Sequence, residues 1–404
     1  MNRTDTFIQE VSDVLQNNIL DFWIKKMTDP SGGFYGQITG AGEVVADAPK
    51  GAVLNARILW TFSAAYRFLH KTEYLETASK AKDYIMLHFI DHRYGGVYWS
   101  LDASGKALDT KKQFYALSFT IYGLSEYYKA TGDEESLKFA INLYKTIEKE
   151  SLETVYGGYI EATTRDWHEL VDMRLSDKDA NERKTMNTHL HILEAYSNLY
   201  SVWKDPGLKD AVIRLLDIFA EHIFDRYSGH LGLFFNDRWD SKDSGVSYGH
   251  DIEASWLLME AAFAVGDIDV LNRIRPIALK IGTAALEGLQ PDGSMIYEKH
   301  SDGSTDKDRH WWVQAETVVG SLWLWKYHSL VSGADYALKC WKYIQDNLID
   351  YTDGEWYWSC HNDGSKNISD DKAGLWKCPY HNTRMCLQVL EIFSSIPSEG
   401  NPRK

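Results

Sequence analysis

The chain has 404 residues and a formal net charge of -15, with 44% hydrophobic and 25% charged residues. This balance is typical of a globular protein with a sizeable core. The acidic charge and the lack of a clustered Lys/Arg face argue against a nucleic-acid partner. No apolar run is long enough to span a bilayer, and the polar start MNRTDTFIQEVSDVLQ has no signal-peptide core. We therefore expect a cytoplasmic protein without a membrane partner, and we expect a monomer.

The four cysteines are Cys340, Cys360, Cys378 and Cys386, and no two of them form a C-x-x-C pair. This spacing favours reduced thiols over a disulfide framework or a zinc site. Aromatic residues make up 13% of the chain, and many lie in polar, glycine-bearing stretches such as GGVYWSLD. Rings beside polar groups suit the C–H faces and hydroxyl edges of sugars, although rings of this size can also simply fill space between helices.

A short segment containing glycine and aromatic residues recurs along the chain about every 60 to 70 residues. Its six copies are GGFYGQI from Gly32, GGVYWSL from Gly95, GGYIEAT from Gly157, GHLGLFF from Gly229, DGSMIYE from Asp292 and DGEWYWS from Asp353. Each copy predicts a turn that leads into a short strand or hairpin.

Two kinds of helix are predicted between successive copies. Each hairpin precedes a stretch that is apolar almost all round, as in GAVLNARILWTFSAAYRFL and GHDIEASWLLMEAAFAV, and each next hairpin follows an amphipathic stretch, as in DEESLKFAINLYKTIEKE. The N-terminal TDTFIQEVSDVLQNNILDFWIKKM supplies the sixth amphipathic helix. Six buried and six amphipathic helices predict an (α/α)6 barrel, an all-α fold with hairpins at one end. An open solenoid is the alternative, but it usually needs polar capping repeats. With no Pro- or Ser-rich linker, we predict one domain, 1–404.

The start of every inner helix should open on the same end of such a barrel, so the polar residues at those starts should converge. They are Arg57, Tyr115, Asn187, His191, His250, Glu253, Trp312, Glu316, His381 and Arg384. His191 is preferred to His189 because it shares a helix face with Asn187 and Glu194.

Each of these residues alone could be an ordinary helix-capping group, but together they predict a functional pocket, since burying so many ionisable groups is costly. Carboxylates such as Asp251, Glu253 and Glu316 could serve hydrolysis. Imidazoles are suited to moving a proton on and off carbon. Three histidines on separate helices could also bind a metal.

Four motifs, DMRLSDKDANERKTMNTHLHILEAY, GHDIEASWLL, HWWVQAE and LWKCPYHNTRMCLQ, agree in order and spacing with one family. Along nearly its whole length the chain resembles the N-acylglucosamine 2-epimerase superfamily. The resemblance implies an (α/α)6 barrel that inverts C2 of a reducing-end sugar, here the glucose of β-1,4-linked disaccharides such as cellobiose and lactose. It implies no metal and no cofactor.

The resemblance also implies roles for individual residues. His250 and His381 would be the acid/base pair, Arg57 and His191 would steady the enediolate oxygen, and Glu253 would orient an imidazole or hold sugar hydroxyls. The expected substrate-binding residues are Tyr115, Asn187, Trp256, Trp312, Glu316 and Trp376. The charged stretch RDWHELVDMRLSDKDANERKT before His191 is predicted to be a lid.

Three other functions stay open on the sequence. The same histidines could serve a monosaccharide 2-epimerase or an aldose–ketose isomerase acting on mannose or N-acetylglucosamine. An (α/α)6 glycoside hydrolase would need two carboxylates at hydrolytic spacing. A non-catalytic sugar-binding barrel would keep the tryptophans without needing the histidines.

Overall fold

The computed structural model describes residues 3–394, so residues 1–2 and 395–404 of the predicted domain lie outside the described residues. Twelve helices follow one another in this range when the three-segment N-terminal helix 3–25 is counted as one. They are α1 (3–25, with Arg3–Val14, a π-helical Leu15–Leu20 and Asp21–Lys25), α2 Ala52–Leu69, α3 Thr72–Tyr84, α4 Phe114–Thr131, α5 Glu134–Glu150, α6 Met186–Val202, α7 Pro206–Ile218, α8 Tyr248–Val265, α9 Ile268–Ala285, α10 Trp311–His328, α11 Gly333–Asn347 and α12 Tyr380–Ser394.

The even-numbered helices form a closed inner ring. Each packs against the next one, and α12 returns to α2, while each odd-numbered helix packs on the outside of an inner one. The inner helices are buried over most of their lengths, as their apolar sequences require. The structure therefore confirms the predicted (α/α)6 barrel. Within residues 3–394, no helix combines the length and apolarity needed to cross a bilayer.

Each of the six repeats contains the predicted turn, closed by an isolated antiparallel bridge. The bridges are Thr28–Phe34, Ile90–Val97, Leu152–Tyr159, Phe224–Leu231, Leu289–Met295 and Ile349–Trp356. The named strands are short: β1 Lys50–Gly51, β2 Ser100–Leu101, β3 Ala107–Asp109, β4 Lys112–Gln113, β5 Ala162–Thr163, β6 Lys184–Thr185, β7 Phe234–Phe235, β8 Val246–Ser247, β9 Glu298–Lys299, β10 Thr305–Asp306, β11 Arg309–His310 and β12 Ser359–Cys360. All pair antiparallel, in the orders β1-β2-β3, β10-β9-β8, β11-β12, β4-β5 and β6-β7.

Five of these strands, β1, β4, β6, β8 and β11, end directly where an inner helix begins. Their pairing therefore fixes the N-terminal ends of α2, α4, α6, α8 and α10 at one end of the barrel. A buried lysine beside several of these junctions reaches back to an acidic residue of the preceding turn. Examples are Lys50 with Asp29 at 2.6 Å and Lys112 with Asp91 at 3.0 Å. Removing one partner of such a pair would leave a buried charge uncompensated and cost about 3–5 kcal/mol.

Candidate active site

A cavity of about 440 Å³ opens where the inner helices begin. Nine of the eleven predicted site residues line it: Arg57, Tyr115, Asn187, His191, His250, Glu253, Trp312, Trp376 and His381. They come from all six inner helices and from the loop before α12. The predicted convergence of these side chains is therefore what the structure shows, although their roles in a reaction are a separate question.

His250 lies in the first turn of α8, three residues after the end of strand β8 that fixes this helix end. Its Nδ1 is 2.7 Å from the hydroxyl of Ser247, so its partner is a neutral group. The ring lies against Trp312, with ring centroids 4.8 Å apart. Burial, together with the nearby His191, lowers the pKa of His250 to about 3. The imidazole is therefore neutral, and its second nitrogen is the one available to a ligand.

His381 lies in the first turn of α12, on another side of the same cavity. Its Nδ1 is 2.7 Å from a carboxylate oxygen of Glu316. Burial lowers the pKa of His381 well below its ordinary value, and the positive charges of Arg57 and Arg384 lower it further. A carboxylate accepts hydrogen bonds, so Nδ1 carries the proton and the second ring nitrogen is free to act as a base.

His191 is held in the same way by Glu194, one turn further along α6. Its Nδ1 is 2.8 Å from Glu194 Oε2. Burial tends to raise the pKa of Glu194, but the charges and hydrogen bonds of Arg384 and His191 outweigh it and lower the pKa to about 2. Glu194 is therefore ionised at neutral pH and fixes the orientation of the His191 ring.

The buried guanidinium of Arg384 connects these carboxylates beneath the cavity. It donates to Glu253 at 2.5 Å and to Glu316 at 2.6 Å, and its other nitrogen donates to Glu194 and Tyr380. We call Arg384 and the carboxylates Glu194, Glu253 and Glu316 the ion cluster. Since all four side chains are at most 2% exposed, the cluster forms a filled layer across the barrel.

Glu253 is the one carboxylate of the ion cluster that also lines the cavity. Its Oε1 bonds to Arg384, while its Oε2 is buried without a hydrogen-bond partner in the described part of the chain. Burial and the neighbouring charge of Glu316 raise the pKa of Glu253 to about 7. This side chain therefore has a free oxygen for a sugar hydroxyl, and it changes charge near neutral pH.

Arg57 brings a positive charge to the cavity without a carboxylate partner. Its Nη2 donates to Tyr115 OH at 2.8 Å and its Nη1 to the Sγ of Cys378 at 3.5 Å, while its plane lies over the Phe119 ring. Its buried Nε has no partner within residues 3–394. A guanidinium stays protonated in proteins, so Arg57 can stabilise negative charge that develops on a ligand oxygen.

Comparison with known proteins places the chain in a family. The model of the N-acylglucosamine 2-epimerase (GlcNAc 2-epimerase) family matches residues 33–384. The chain belongs to this family. A relative from Bacteroides fragilis, named cellobiose 2-epimerase, is 55% identical over 384 residues, or 95% of this chain and 98% of that protein.

Solved structures agree with this assignment. The structure of cellobiose 2-epimerase from Bacillus thermoamylovorans has a TM-score of 0.92 and 40% identity, covering 96% of this chain and 99% of that one. A D-mannose isomerase structure has a TM-score of 0.83 at 22% identity, covering 96% of this chain and 97% of that one, and therefore shows a shared fold alone. The family is one of epimerases, so the chain is assigned to the isomerases that act on sugars.

Two of the residues proposed from the family resemblance do not lie on the cavity. Glu316 is fully buried and accepts hydrogen bonds from His381, Arg384 and, at 3.0 Å, the indole of Trp256. It is placed to hold the His381 ring rather than sugar hydroxyls. Trp256 lies one turn beyond Glu253 and points to the opposite side of the ion cluster. Its indole donates to Glu316, and Trp256 does not line the cavity that holds His250 and His381.

The stretch 165–185, which the sequence predicts to be a lid, reaches the cavity through Leu175, Lys178 and Asp179. It is anchored by Gln113, whose amide donates to the carbonyls of residues 173 and 174 at 3.0 and 2.9 Å. The structure thus places the stretch over the mouth, and its movement stays a prediction.

Sequence reasoning missed several residues that shape the site. Tyr297 and Trp358 line the cavity, although both belong to the hairpin segments that the repeats had marked. Ser247 was not considered, and Arg384 was noticed only as a neighbour of His381. The pairing of His191 with Glu194 could be read from their spacing of three residues on one helix.

Glu253, Glu316 and His381 also have ligand atoms within 4.8 Å of one another, a spacing that could suit a metal ion. However, Arg384 donates to both carboxylates from within the same cluster. Its guanidinium already supplies the positive charge that these carboxylates need, so this group of side chains does not require a metal cation.

Proposed function

We propose that the protein is a cellobiose 2-epimerase, which inverts C2 of the reducing-end glucose in β-1,4-linked disaccharides. Cellobiose would give glucosylmannose, and lactose would give epilactose. The observation that carries this proposal is the pair His250 and His381 on two different helices of one cavity, each with Nδ1 engaged and the other nitrogen available.

In the proposed reaction, the sugar binds in its open-chain form, so that the C1 carbonyl acidifies the C2 proton. One imidazole takes the proton from C2, and the electron pair of the C–H bond moves toward C1 to give an enediolate. The other imidazole, in its protonated form, then delivers a proton to the opposite face of C2. The carbonyl re-forms, and only the configuration at C2 has changed.

The negative oxygen of the enediolate needs a fixed positive or hydrogen-bonding partner. Arg57 fits this need because its charge has no carboxylate counterpart, and its orientation is set by Tyr115. His191, whose Nδ1 is bound to Glu194, presents its second ring nitrogen to the same cavity, where it could accept a hydrogen bond from a hydroxyl of the sugar. Glu253 Oε2 and the Oδ1 of Asn187 have no partner among residues 3–394 and could hold sugar hydroxyls.

Two observations support a disaccharide as substrate. The relatives that carry the name cellobiose 2-epimerase are at least 35% identical to this chain, whereas the D-mannose isomerase relative is 22% identical. The cavity also adjoins a second compartment of about 520 Å³, and His250, Asn187 and Tyr297 line both. This provides room for more than one sugar ring.

The three carboxylates considered for hydrolysis, Asp251, Glu253 and Glu316, do not form a hydrolytic pair. Hydrolysis needs two carboxyl groups on either side of a scissile bond. Glu253 faces the cavity, but Glu316 is buried behind His381. Asp251 points away and bonds to His230 at 2.7 Å. A second carboxylate across the cavity from Glu253 is therefore missing among these three candidates.

The test is incubation of the purified protein with cellobiose, lactose, glucose, mannose and N-acetylglucosamine, followed by carbohydrate analysis. We expect 2-epimers of the two disaccharides. Preferential conversion of a monosaccharide would favour the mannose or N-acetylglucosamine alternative, and free glucose from cellobiose would favour a hydrolase.

A second experiment tests the proton transfer itself. In D2O, the epimerised product should carry carbon-bound deuterium at C2, because the delivered proton comes from an imidazole that exchanges with water. Full retention of protium at C2 would contradict the two-histidine reaction even if the product were correct.

We further propose that the chain acts as a single-domain monomer in the cytoplasm. Size-exclusion chromatography with light scattering tests the first part, and fractionation of the producing cells tests the second.

A further inference from the structure

A second cavity, of about 370 Å³, lies at the opposite end of the barrel. The C-terminal halves of the inner helices line it, through residues such as Trp60 on α2, Tyr122 on α4, Asn198 on α6, Glu260 on α8 and Gln388 on α12. We call it the far-end cavity. Arg384 and Trp256 also contact it. The ion cluster therefore separates it from the cavity that holds His250 and His381, which we call the sugar-facing cavity.

The carboxylates that line the far-end cavity are not equally compensated. Glu126 is compensated, since Arg67 donates to it and Lys129 lies 3.3 Å away. Arg384 is compensated by the carboxylates of the ion cluster. Glu260, in contrast, has no hydrogen bond or ion pair with any of residues 3–394 that the structure records. Burial, and then the charge of Glu194, raise its pKa to about 7; the charges of Arg384 and Lys129 act in the opposite direction, and Glu391 adds to the rise.

The walls of this cavity offer aromatic faces next to that carboxylate. Trp60 and Tyr122 are stacked, with centroids 5.2 Å apart and planes 7° from parallel, and both line the cavity. Glu260 lies one helical turn beyond Trp256 on α8, so these two side chains share one face. A carboxylate without a counter-ion beside aromatic rings is the arrangement that recognises ammonium groups.

Other ligand classes fit less well. An anion could approach Arg67 and Lys129, but both already pair with Glu126, and the anion would also meet the carboxylates of Glu260 and, at the rim, Glu391. A neutral sugar would use the aromatic faces and the amides of Asn198 and Gln388, but it would leave the charge of Glu260 uncompensated.

We propose that the far-end cavity binds a small organic ammonium ion, with its N–H groups on Glu260 and its apolar body against Trp60 and Tyr122. The proposal does not depend on the epimerase function, because it uses none of the histidines of the sugar-facing cavity.

Isothermal titration calorimetry with three probes of one shape tests the proposal on the whole chain. Benzylammonium carries the positive head group, benzyl alcohol a neutral one and benzoate a negative one. We expect one saturable site for benzylammonium, with binding at least tenfold weaker for the other two probes. Its affinity should rise between pH 6 and pH 8, as the Glu260 carboxyl loses its proton.

Two variants locate the site. Glu260→Gln should weaken benzylammonium at least tenfold and remove the pH dependence, whereas Glu221→Gln, which makes the same change at an exposed position on the outer layer, should do neither. Ala264→Leu adds volume to the cavity wall without changing charge, and it should also weaken the probe. Circular dichroism establishes that each variant is folded, and Ala264→Leu carries the test if Glu260→Gln does not fold.

Several results would overturn the proposal. These are no measurable binding of benzylammonium at millimolar concentration, equal binding of benzyl alcohol, or an affinity that both Glu260→Gln and Ala264→Leu leave at the wild-type value.

Discussion

The two histidine-bearing sides of the sugar-facing cavity differ in what stands behind the imidazole. On the α8 side, His250 is backed by the hydroxyl of Ser247 and packs on Trp312. On the α12 side, His381 is backed by Glu316, whose charge is held by Arg384. Burial lowers the pKa values of both rings below the ordinary range, so the proton that the proposed reaction needs on one of them is held at a cost in free energy.

The difference matters once a proton arrives. A carboxylate stabilises an imidazolium and fixes its tautomer, whereas a hydroxyl can donate or accept and offers no charge. On the α12 side, Glu316 favours a proton on His381 while Arg57 and Arg384 oppose it, and on the α8 side Ser247 adds no charge behind His250. Two chemically similar bases in one cavity are thus made unequal by their partners.

The largest effect is expected from removing either imidazole. His250→Ala and His381→Ala should each lower epimerisation of cellobiose at least about 10³-fold, since each removes one of two proton-transfer groups. Both variants should keep the fold, as measured by circular dichroism and thermal melting. Turnover within tenfold of wild type in either variant would remove that histidine from the proposed mechanism.

The same two variants can separate the sides of the cavity. Each keeps one base, so each should still exchange the C2 proton of one epimer with D2O, and the two variants should prefer opposite epimers. Exchange of the same epimer by both variants would contradict the placement of the histidines on opposite faces of C2.

Removing the partner of His381 should lower kcat more than removing the partner of His250. Glu316→Gln should lower kcat by about 10- to 100-fold with little change in KM, as for other residues that orient a reactive imidazole. Ser247→Ala should lower kcat less than about fivefold, because a hydroxyl supplies no charge. Steady-state kinetics on cellobiose measure both. Equal losses would show that charge behind the ring is unimportant, and the comparison would fail.

Trp376 lies on the cavity but has no recorded ring contact with either histidine; its ring neighbours are Trp99 and Tyr115. Trp376→Ala should therefore weaken disaccharide binding rather than proton transfer, at a cost of about 1–3 kcal/mol in kcat/KM. Any monosaccharide that the enzyme accepts should be less affected. Unchanged kinetics on cellobiose would place Trp376 outside the binding site.

A pH profile tests whether the charge of Glu253 affects the protonation of His381, although Glu253 lies on the same helix as His250. Its Oε1 is 3.9 Å from His381 Nδ1, and its pKa is raised to about 7. Below that pH the carboxyl is protonated and neutral, and above it the negative charge favours an imidazolium at His381. We expect kcat/KM to rise about tenfold from pH 6 to pH 8. Glu253→Gln should abolish this rise, and Ser247→Ala should keep it.

The repeat pattern and the positions of the polar residues predicted the barrel and most of the cavity. Six turns and alternating helices define a ring whatever the details of packing, and a residue in the first two turns of an inner helix should lie near the mouth. Arg57, His191, His250 and His381 could therefore be placed from the sequence.

The directions of side chains beyond the first turn could not be predicted for every inner helix. An inner helix that is apolar all round gives no periodic signal for its rotation about its own axis. Trp256 and Glu316 were consequently assigned to the sugar, whereas packing turns both toward the ion cluster. Arg384 contacts Glu194 and Glu253, which precede it in the sequence by 190 and by 131 positions. No local pattern reveals contacts over such separations.

The ion cluster has a consequence for how the enzyme would recover between turnovers. In the proposed reaction, each inversion leaves the two imidazoles with exchanged protonation, so the free protein exists in two forms, each primed for one epimer. The filled layer around Arg384 closes the floor of the cavity, and the return proton must travel through the mouth that the product has just left. After each turnover the protein would thus keep, for a short time, the protonation state that its last product left. At high sugar concentration the return to the starting protonation state, rather than the bond-breaking at C2, would limit the rate.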